Sequence, residues 1–564
     1  MVPILASRLI TLIVTLIGPA VLVFMTPTVS EDPINQSKML LISIAASTIL
    51  GISVANFKIV RNFQNKLYLM LIILFIFQLT LVLFIAPGPF NQQFFGTFGR
   101  NTGFISYLGL ALVSLGAATV SSRNMLTKIA TGLIIAGIFS WIYSVVQTLG
   151  LDPVKWNNPY SPIVGFLGNP NFQSSFLGMF GASSAALALQ KNQTVLKKII
   201  LLFSILSTLG LIVRSNSQQG IIVLGIGIAI VLFLYLFYRD GKNHKVILFG
   251  YSITVSIIGL IVILGTLNLG PLGQFLYKLS VRQRGYYWNA AIEMIKDKPI
   301  TGVGLDSYGD WYFGFRSVGA AQNTPTVTSN SAHNVFLDFG ANGGLPLLFI
   351  YLALIAITAV TIIKLLPKFA EFNWGFAALV AVWLGYLAQS VISINQLGLA
   401  IWCWLIMGIF IGLEADLSKE KLLGEPPGNK NAKFVGKNQK SNTNSSTTYI
   451  FASVFLIIGF VVVFPVFQND ANSRKAIGSR SADQLISTVL KQPQDTYRIV
   501  GAATILANSN LLPQSRDLVD HAIAINPRMY NAWELKLQLT DPKSLDYQSI
   551  KDKLNELNPR VPRK

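Results

Sequence analysis

Charge is scarce in this chain: only 12% of its 564 residues are Asp, Glu, Lys or Arg, about half the share of an average soluble domain. Cysteine is nearly missing. The single Cys403 lies in an apolar run, which excludes a disulfide framework and a cysteine metal site. The three histidines, His244, His333 and His521, stand far apart and fall on opposite predicted sides or in separate domains, so a zinc site has no visible ligands. The most informative lack is inside the long apolar runs, none of which contains Asp, Glu, Lys, Arg or His. Ion-coupled transporters usually need such groups near the midplane, so a proton-driven transporter is disfavoured and any chemistry belongs at a membrane face.

What is abundant is apolar sequence, 52% of the chain, with a mean hydropathy of +0.54. Runs near 9–26, 39–56, 67–86, 103–120, 129–148, 172–189, 199–213, 219–238, 246–267, 344–363, 374–393, 397–413 and 449–468 have about the 20 residues a helix needs to cross the hydrocarbon core. These imply an all-α polytopic membrane protein, with twelve spans in the core and one further span. The formal charge of +20 follows the same alternation. Loops holding Arg8, Lys58, Arg61, Arg123, Lys197 and Arg239, with their neighbours and a Lys-rich linker, carry a net +14. The opposite loops of the core carry +2 and the tail after 468 carries +4. By the positive-inside rule the N-terminus is cytoplasmic and the tail is outside. The basic excess is therefore a topology signal, and nucleic-acid binding has no support. The first run lacks a cleavage-site pattern and reads as an uncleaved span.

Four domains follow: a membrane core over 1–413, a flexible cytoplasmic linker over 414–448, a last span over 449–468, and an outward helical domain over 469–564. The loop 268–343 is too long for a simple connection, and 284–298 within it has the pattern of an amphipathic helix. In the tail, helical patterns run near 481–491, 495–508, 513–525, 529–540 and 546–557. AIAINPRMYNAWELKLQL (522–539) is like a tetratricopeptide boundary, but the full repeat signature is absent and a plain helical bundle fits as well.

Four outward features carry candidate chemistry. GFLGNPNFQSSF (165–176) makes a turn that starts a helix, with Asn171 a candidate cap; structure alone explains it. Arg214, in the hairpin VRSNSQQG (213–220), either snorkels to lipid headgroups or forks onto a lipid-linked phosphate. In RQRGYYW (282–288), Arg284 and Trp288 lie one turn apart, as a membrane anchor or as a phosphate and sugar contact. In SAHNVFLDFGANGGLPLLF (331–349), His333 is the only outward histidine of the core, a general base at neutral pH or merely a helix-end residue. TGVGLDSYG (301–309) does not give GxGxxG and is no nucleotide loop.

The order GNPNF, a short Ser/Gly hairpin, RxxxW, KDKPITGVGLDSY and AHNVFLDFGANGGLPLLF resembles the O-antigen ligase and polymerase superfamily over roughly 60–413, most specifically over 284–349. The resemblance implies a GT-C-type membrane glycosyltransferase that moves a glycan from an undecaprenyl-diphosphate carrier to an acceptor hydroxyl outside the cytoplasm, with inversion; no paired outward carboxylates or metal cluster is evident in the sequence, so a displacement without metal or other cofactor fits better. It implies that His333 activates the acceptor and that Arg284 holds the diphosphate. Members often read SRG in the hairpin where this chain has Ser217-Gln218-Gln219-Gly220, so Arg214 is the candidate substitute. Arg100, in FGRNTG (98–103), and Arg316 are further phosphate candidates, and Asn171, Trp288 and Asn334 line the substrate loops. The implied setting is the bacterial cytoplasmic membrane. The expected partners are the donor, the bilayer, a glycan, lipid or protein acceptor, and a protein partner for 469–564. A repeat-unit polymerase, a protein O-oligosaccharyltransferase, a polysaccharide or lipid transporter and a membrane scaffold remain open as alternatives.

Overall fold

A computed structural model describes residues 4–61, 63–156, 158, 161–276, 279–422 and 445–560. Among these residues the secondary structure is helical and contains no strand. Every one of the thirteen apolar runs forms a helix. Ten are long and apolar enough to cross a membrane, and Phe104–Thr119 and Trp374–Ser390 are apolar but shorter. The thirteenth, Pro170–Leu189, is rich in Ser, Gly and Ala and almost wholly buried. It packs against Gln218–Phe237, Trp374–Ser390 and Val195–Arg214. Small side chains permit that closeness: a Cβ on Gly178 would stand 2.9 Å from the Gly220 carbonyl oxygen. Leu397–Leu422 is the most enclosed of the candidate spans, with Trp402 and Trp404 fully buried. The last span lies along Asn35–Ala55.

The polar connections sort into two ends of the bundle. At one end Asn35 Nδ2 donates to Gly99 O (2.7 Å), the Thr97 amide donates to Asp306 Oδ2 (2.8 Å) and the Asp32 amide donates to Asp470 Oδ2 (3.1 Å). At the other, Arg123 Nη2 donates to Lys368 O (2.9 Å), Lys191 pairs with Glu371 (2.8 Å) and Lys368 pairs with Glu414 (3.1 Å). These groups are the two sides that the charge alternation separates. The expected linker over 414–448 is described only at its two ends. Residues 414–422 continue the helix Leu397–Leu422 and 445–448 begin Ser445–Ser479, while 423–444 lie outside the described residues.

The helix Val335–Leu365 is broken at Gly344, where φ is +78°. A side chain there would collide with the Ile300 carbonyl, and only glycine takes this backbone without strain. Carbonyls on both sides of the break need donors from elsewhere in the bundle. Gln78, buried in Lys66–Ile85, supplies the missing donor: its Nε2 bonds Ile300 O (2.8 Å) and Gly343 O (3.0 Å). The expected span start at 344 coincides with this break. The helix expected from 284 begins earlier, as Leu279–Asp297, and the long loop adds Tyr308–Phe315 and Val318–Asn323.

In the tail, the last membrane helix runs on to Ser479 and is followed by Ala482–Val489, Thr496–Asn508, Leu512–Ile525, Tyr530–Leu539 and Leu545–Leu557. These share a small core that includes Ile499, Ala503, Val519 and Ala522. The tail is thus built onto a continuous membrane helix.

Candidate functional site

His333 sits in the turn that opens the helix Val335–Leu365. Asn334 caps the helix, its side chain accepting from the Leu337 amide (3.0 Å), so its contribution here is to the backbone. One turn in, Asp338 reaches back. Its Oδ2 accepts from Ser331 Oγ (2.6 Å) and its Oδ1 from the Ala332 amide (2.7 Å), while Ser331 Oγ accepts from the His333 amide (3.0 Å). This network holds His333 at φ +51°, a left-handed conformation that a non-glycine residue keeps only when its surroundings impose it. The imidazole lies against Tyr287, ring centroids 5.1 Å apart. Its Nδ1 is 3.3 Å from Ser331 O, an arrangement that favours the proton on Nδ1 and leaves the Nε2 lone pair as acceptor. Burial, together with the charges of Arg284 and Arg100, lowers its pKa to about 4 against the Ser331 hydrogen bond, which raises it. The ring is neutral at physiological pH.

The four arginines differ in what they are paired with. Arg100 is buried, with Nε 3.6 Å from Asp306 Oδ1 and Nη2 4.0 Å from Asp338 Oδ2. Its Nη1 donates to Asn330 O. Burial would lower its pKa, but Asp306 and then Asp338 outweigh that and raise it. Arg100 is therefore a bridge that ties the 306 turn to the His333 turn, and its charge is already matched within the protein. Arg316 is also fully buried. It donates to Pro325 O (2.9 Å) and to Asn558 Oδ1 in the tail (3.1 Å), away from His333. Arg284 donates from Nε to Ile392 O (2.8 Å) and from Nη1 to Ser280 O (3.2 Å), and it has no carboxylate partner among the described residues. Burial lowers its pKa from the usual arginine value. Arg214 is exposed at the end of Val195–Arg214.

The cap expected from Asn171 is Asn169, whose side chain accepts from the Asn171 amide (2.9 Å). The reason is register: proline at the first helical position fixes the start at 170. Asn171 Oδ1 instead accepts from Ser217 Oγ (2.8 Å), joining the GNPNF turn to the hairpin that carries Arg214. Trp288 is half-buried one turn from Arg284, and its indole N–H has no protein partner. The structure thus brings His333, Arg284 and Arg100 within electrostatic reach and joins Asn171 to Ser217 of the hairpin that follows Arg214.

Sequence reasoning missed Asp306, Asp338 and Ser331. An acid in the first turn after a polar turn was a signal for Asp338. Asp306 had only its Gly-rich surroundings, and its partner Arg100 is remote in sequence.

The class defined so far is an all-helical polytopic membrane protein with a polar site gathered at one end of the bundle. Residues 201–352 match the family model described as O-Antigen ligase, which places this segment in the O-antigen ligase superfamily. Members of that family are membrane glycosyltransferases or ligases, which supports an enzyme role for the matched segment. The match spans Arg214, Arg284, Trp288, Arg316, His333 and Asn334, and leaves Arg100 and Asn171 outside it. No curated protein matches the chain.

Proposed function

We propose that this protein transfers a glycan from an undecaprenyl-diphosphate carrier to an acceptor hydroxyl at the outer face of the bacterial cytoplasmic membrane. The observation that carries the reading is the pairing of a neutral, conformationally held His333 with Arg284, a nearby arginine that no carboxylate neutralises among the described residues. In the proposed step the acceptor oxygen bonds to the anomeric carbon while the bond from that carbon to the diphosphate oxygen breaks. The acceptor's proton passes to His333 Nε2, and the electron pair leaves on the carrier diphosphate. In this reading Arg284 meets that growing charge, and preorganised donors of this kind are worth ~10²–10³ in rate each. Arg214, exposed before the hairpin that Asn171 joins, is the second candidate for the diphosphate.

The low pKa of His333 in the free protein fits this order of events. Burial holds it down most and the charges of Arg284 and Arg100 add to this; an arriving diphosphate would offset the arginine part and return some basicity to the ring. The decisive experiment is reconstitution with an undecaprenyl-diphosphate glycan and candidate acceptors. Wild type should release carrier diphosphate, and His333→Ala should lose ~10²–10⁴ of that rate. Equal release by wild type, His333→Ala and Arg284→Ala would refute the assignment. Product length then separates a ligase, which caps once, from a polymerase, which extends.

A further inference from the structure

The outward tail is docked on the element that sets the site, and it docks by its own charged and aromatic side chains. Three contacts join it to the helix Tyr308–Phe315. The Arg528 guanidinium lies over the Trp311 ring, 3.4 Å from its centroid. The rings of Tyr530 and Phe313 stand 4.3 Å apart. Tyr497 OH donates to Asp310 Oδ1 (3.4 Å). Gln92 completes the junction from a third segment, since its Nε2 donates to Asp310 Oδ2 (2.8 Å) and to Asp306 O (3.2 Å).

The same short helix is tied on its other side to the His333 region. The amides of Ser307, just before it, and Tyr308, its first residue, donate to Asn342 Oδ1 (3.1 and 3.0 Å). Tyr308 OH donates to the carbonyl of Tyr287 (2.8 Å), the residue whose ring lies on His333. Asp306, just before the helix, holds Arg100, and Arg100 holds Asp338 and Asn330 on either side of the histidine turn.

We propose that the tail domain is a clamp that positions the site. Arg528, Tyr497 and Tyr530 fix the helix Tyr308–Phe315, and through Asp306 and Arg100 this helix holds the left-handed His333 turn. The three tail residues are positioning residues and do not touch substrate. The inference rests on the proposed role of His333, and it assigns the concealed face of the tail to this chain and not to an outside partner.

The test uses the full chain in lipid nanodiscs, with Arg528→Ala, Arg528→Lys and Tyr497→Phe. Amide exchange is read over 306–316 and 329–338, and donor transfer is read as kcat and KM. A buried segment that loses its partners opens more readily, and misplacing a reacting group by about 1 Å costs ~10²-fold. The expected result for Arg528→Ala is faster exchange in both segments, with kcat down about ten-fold or more and donor KM unchanged within about two-fold. Arg528→Lys keeps a cation over the indole and should restore most of kcat. Unchanged exchange over 329–338 overturns the clamp, as does faster exchange with wild-type kcat. Full transfer by His333→Ala in the same preparation identifies failure of the functional reading itself and overturns the clamp's catalytic role with it.

Discussion

At the scale of the residue, the arginines near His333 divide by their partners, and this makes them separable by experiment. Arg100→Ala leaves Asp306 and Asp338 buried without their cation, a loss of about 3–5 kcal/mol, so thermal unfolding in detergent should shift strongly downward. Arg284→Ala removes no ion pair, only hydrogen bonds to two carbonyls, and should lower the unfolding temperature less than Arg100→Ala does while donor transfer falls. His333 sets a pH dependence of defined sign. Its pKa is lowered from 6.5 to about 4 in the folded protein. Between these values the unfolded imidazole takes a proton that the folded one refuses, so the native state loses stability as pH falls through that window. The acid limb of kcat/KM reports the free enzyme and should lie near pH 4. The limb of kcat, which reports the donor complex, should lie higher because the bound diphosphate opposes the arginine charges. A kcat/KM limb at or above 6.5 would remove His333 from the proton transfer.

At the scale of the element, the broken helix Val335–Leu365 decides where the site stands. Gly344 turns the chain under the Ile300 carbonyl, and Gln78 bonds the two carbonyls at the break. Gln78→Leu keeps the volume but leaves those acceptors without a donor, at a cost of about 1–3 kcal/mol each. Gly344→Ala adds a collision to an unfavourable φ. Both variants should lower the unfolding temperature, and both should loosen the amides of 299–303 by hydrogen exchange. The sequence showed the apolar run from 344 and the polar stretch before it, but not that one glycine joins them into a kinked unit. That needed Pro299 and Ile300, whose carbonyls meet Leu345 and Gln78 across the bundle (2.7 and 2.8 Å).

At the scale of the whole molecule, the charge alternation implies a definite topology that labelling can read. Cys403 is buried, so background thiol reaction should be low. Lys155→Cys and Lys242→Cys introduce thiols at exposed positions on opposite predicted sides. A membrane-impermeant maleimide added to intact cells should label the first and spare the second, and the opposite result would invert the assigned orientation. The tail belongs to this scale as well. It is continuous with a membrane helix and packed on the site loop.

The sequence alone located the thirteen apolar helices, though not the short helices of the long loop, and implied a sorting of the loops into two sides. Those properties follow from hydropathy and charge summed along the chain, and each run satisfies its own backbone without help from the rest. It also pointed to His333 and Arg284 through a family resemblance carried by a short contiguous segment. It did not determine which arginines are already neutralised, which asparagine caps the 170–189 helix, or that the tail grips the site loop. Arg100 meets Asp306 and Asp338 more than two hundred positions away, and Arg528 meets Trp311 at similar range. Pairings of that separation leave no periodic trace in a single sequence, so only the packed structure assigns them.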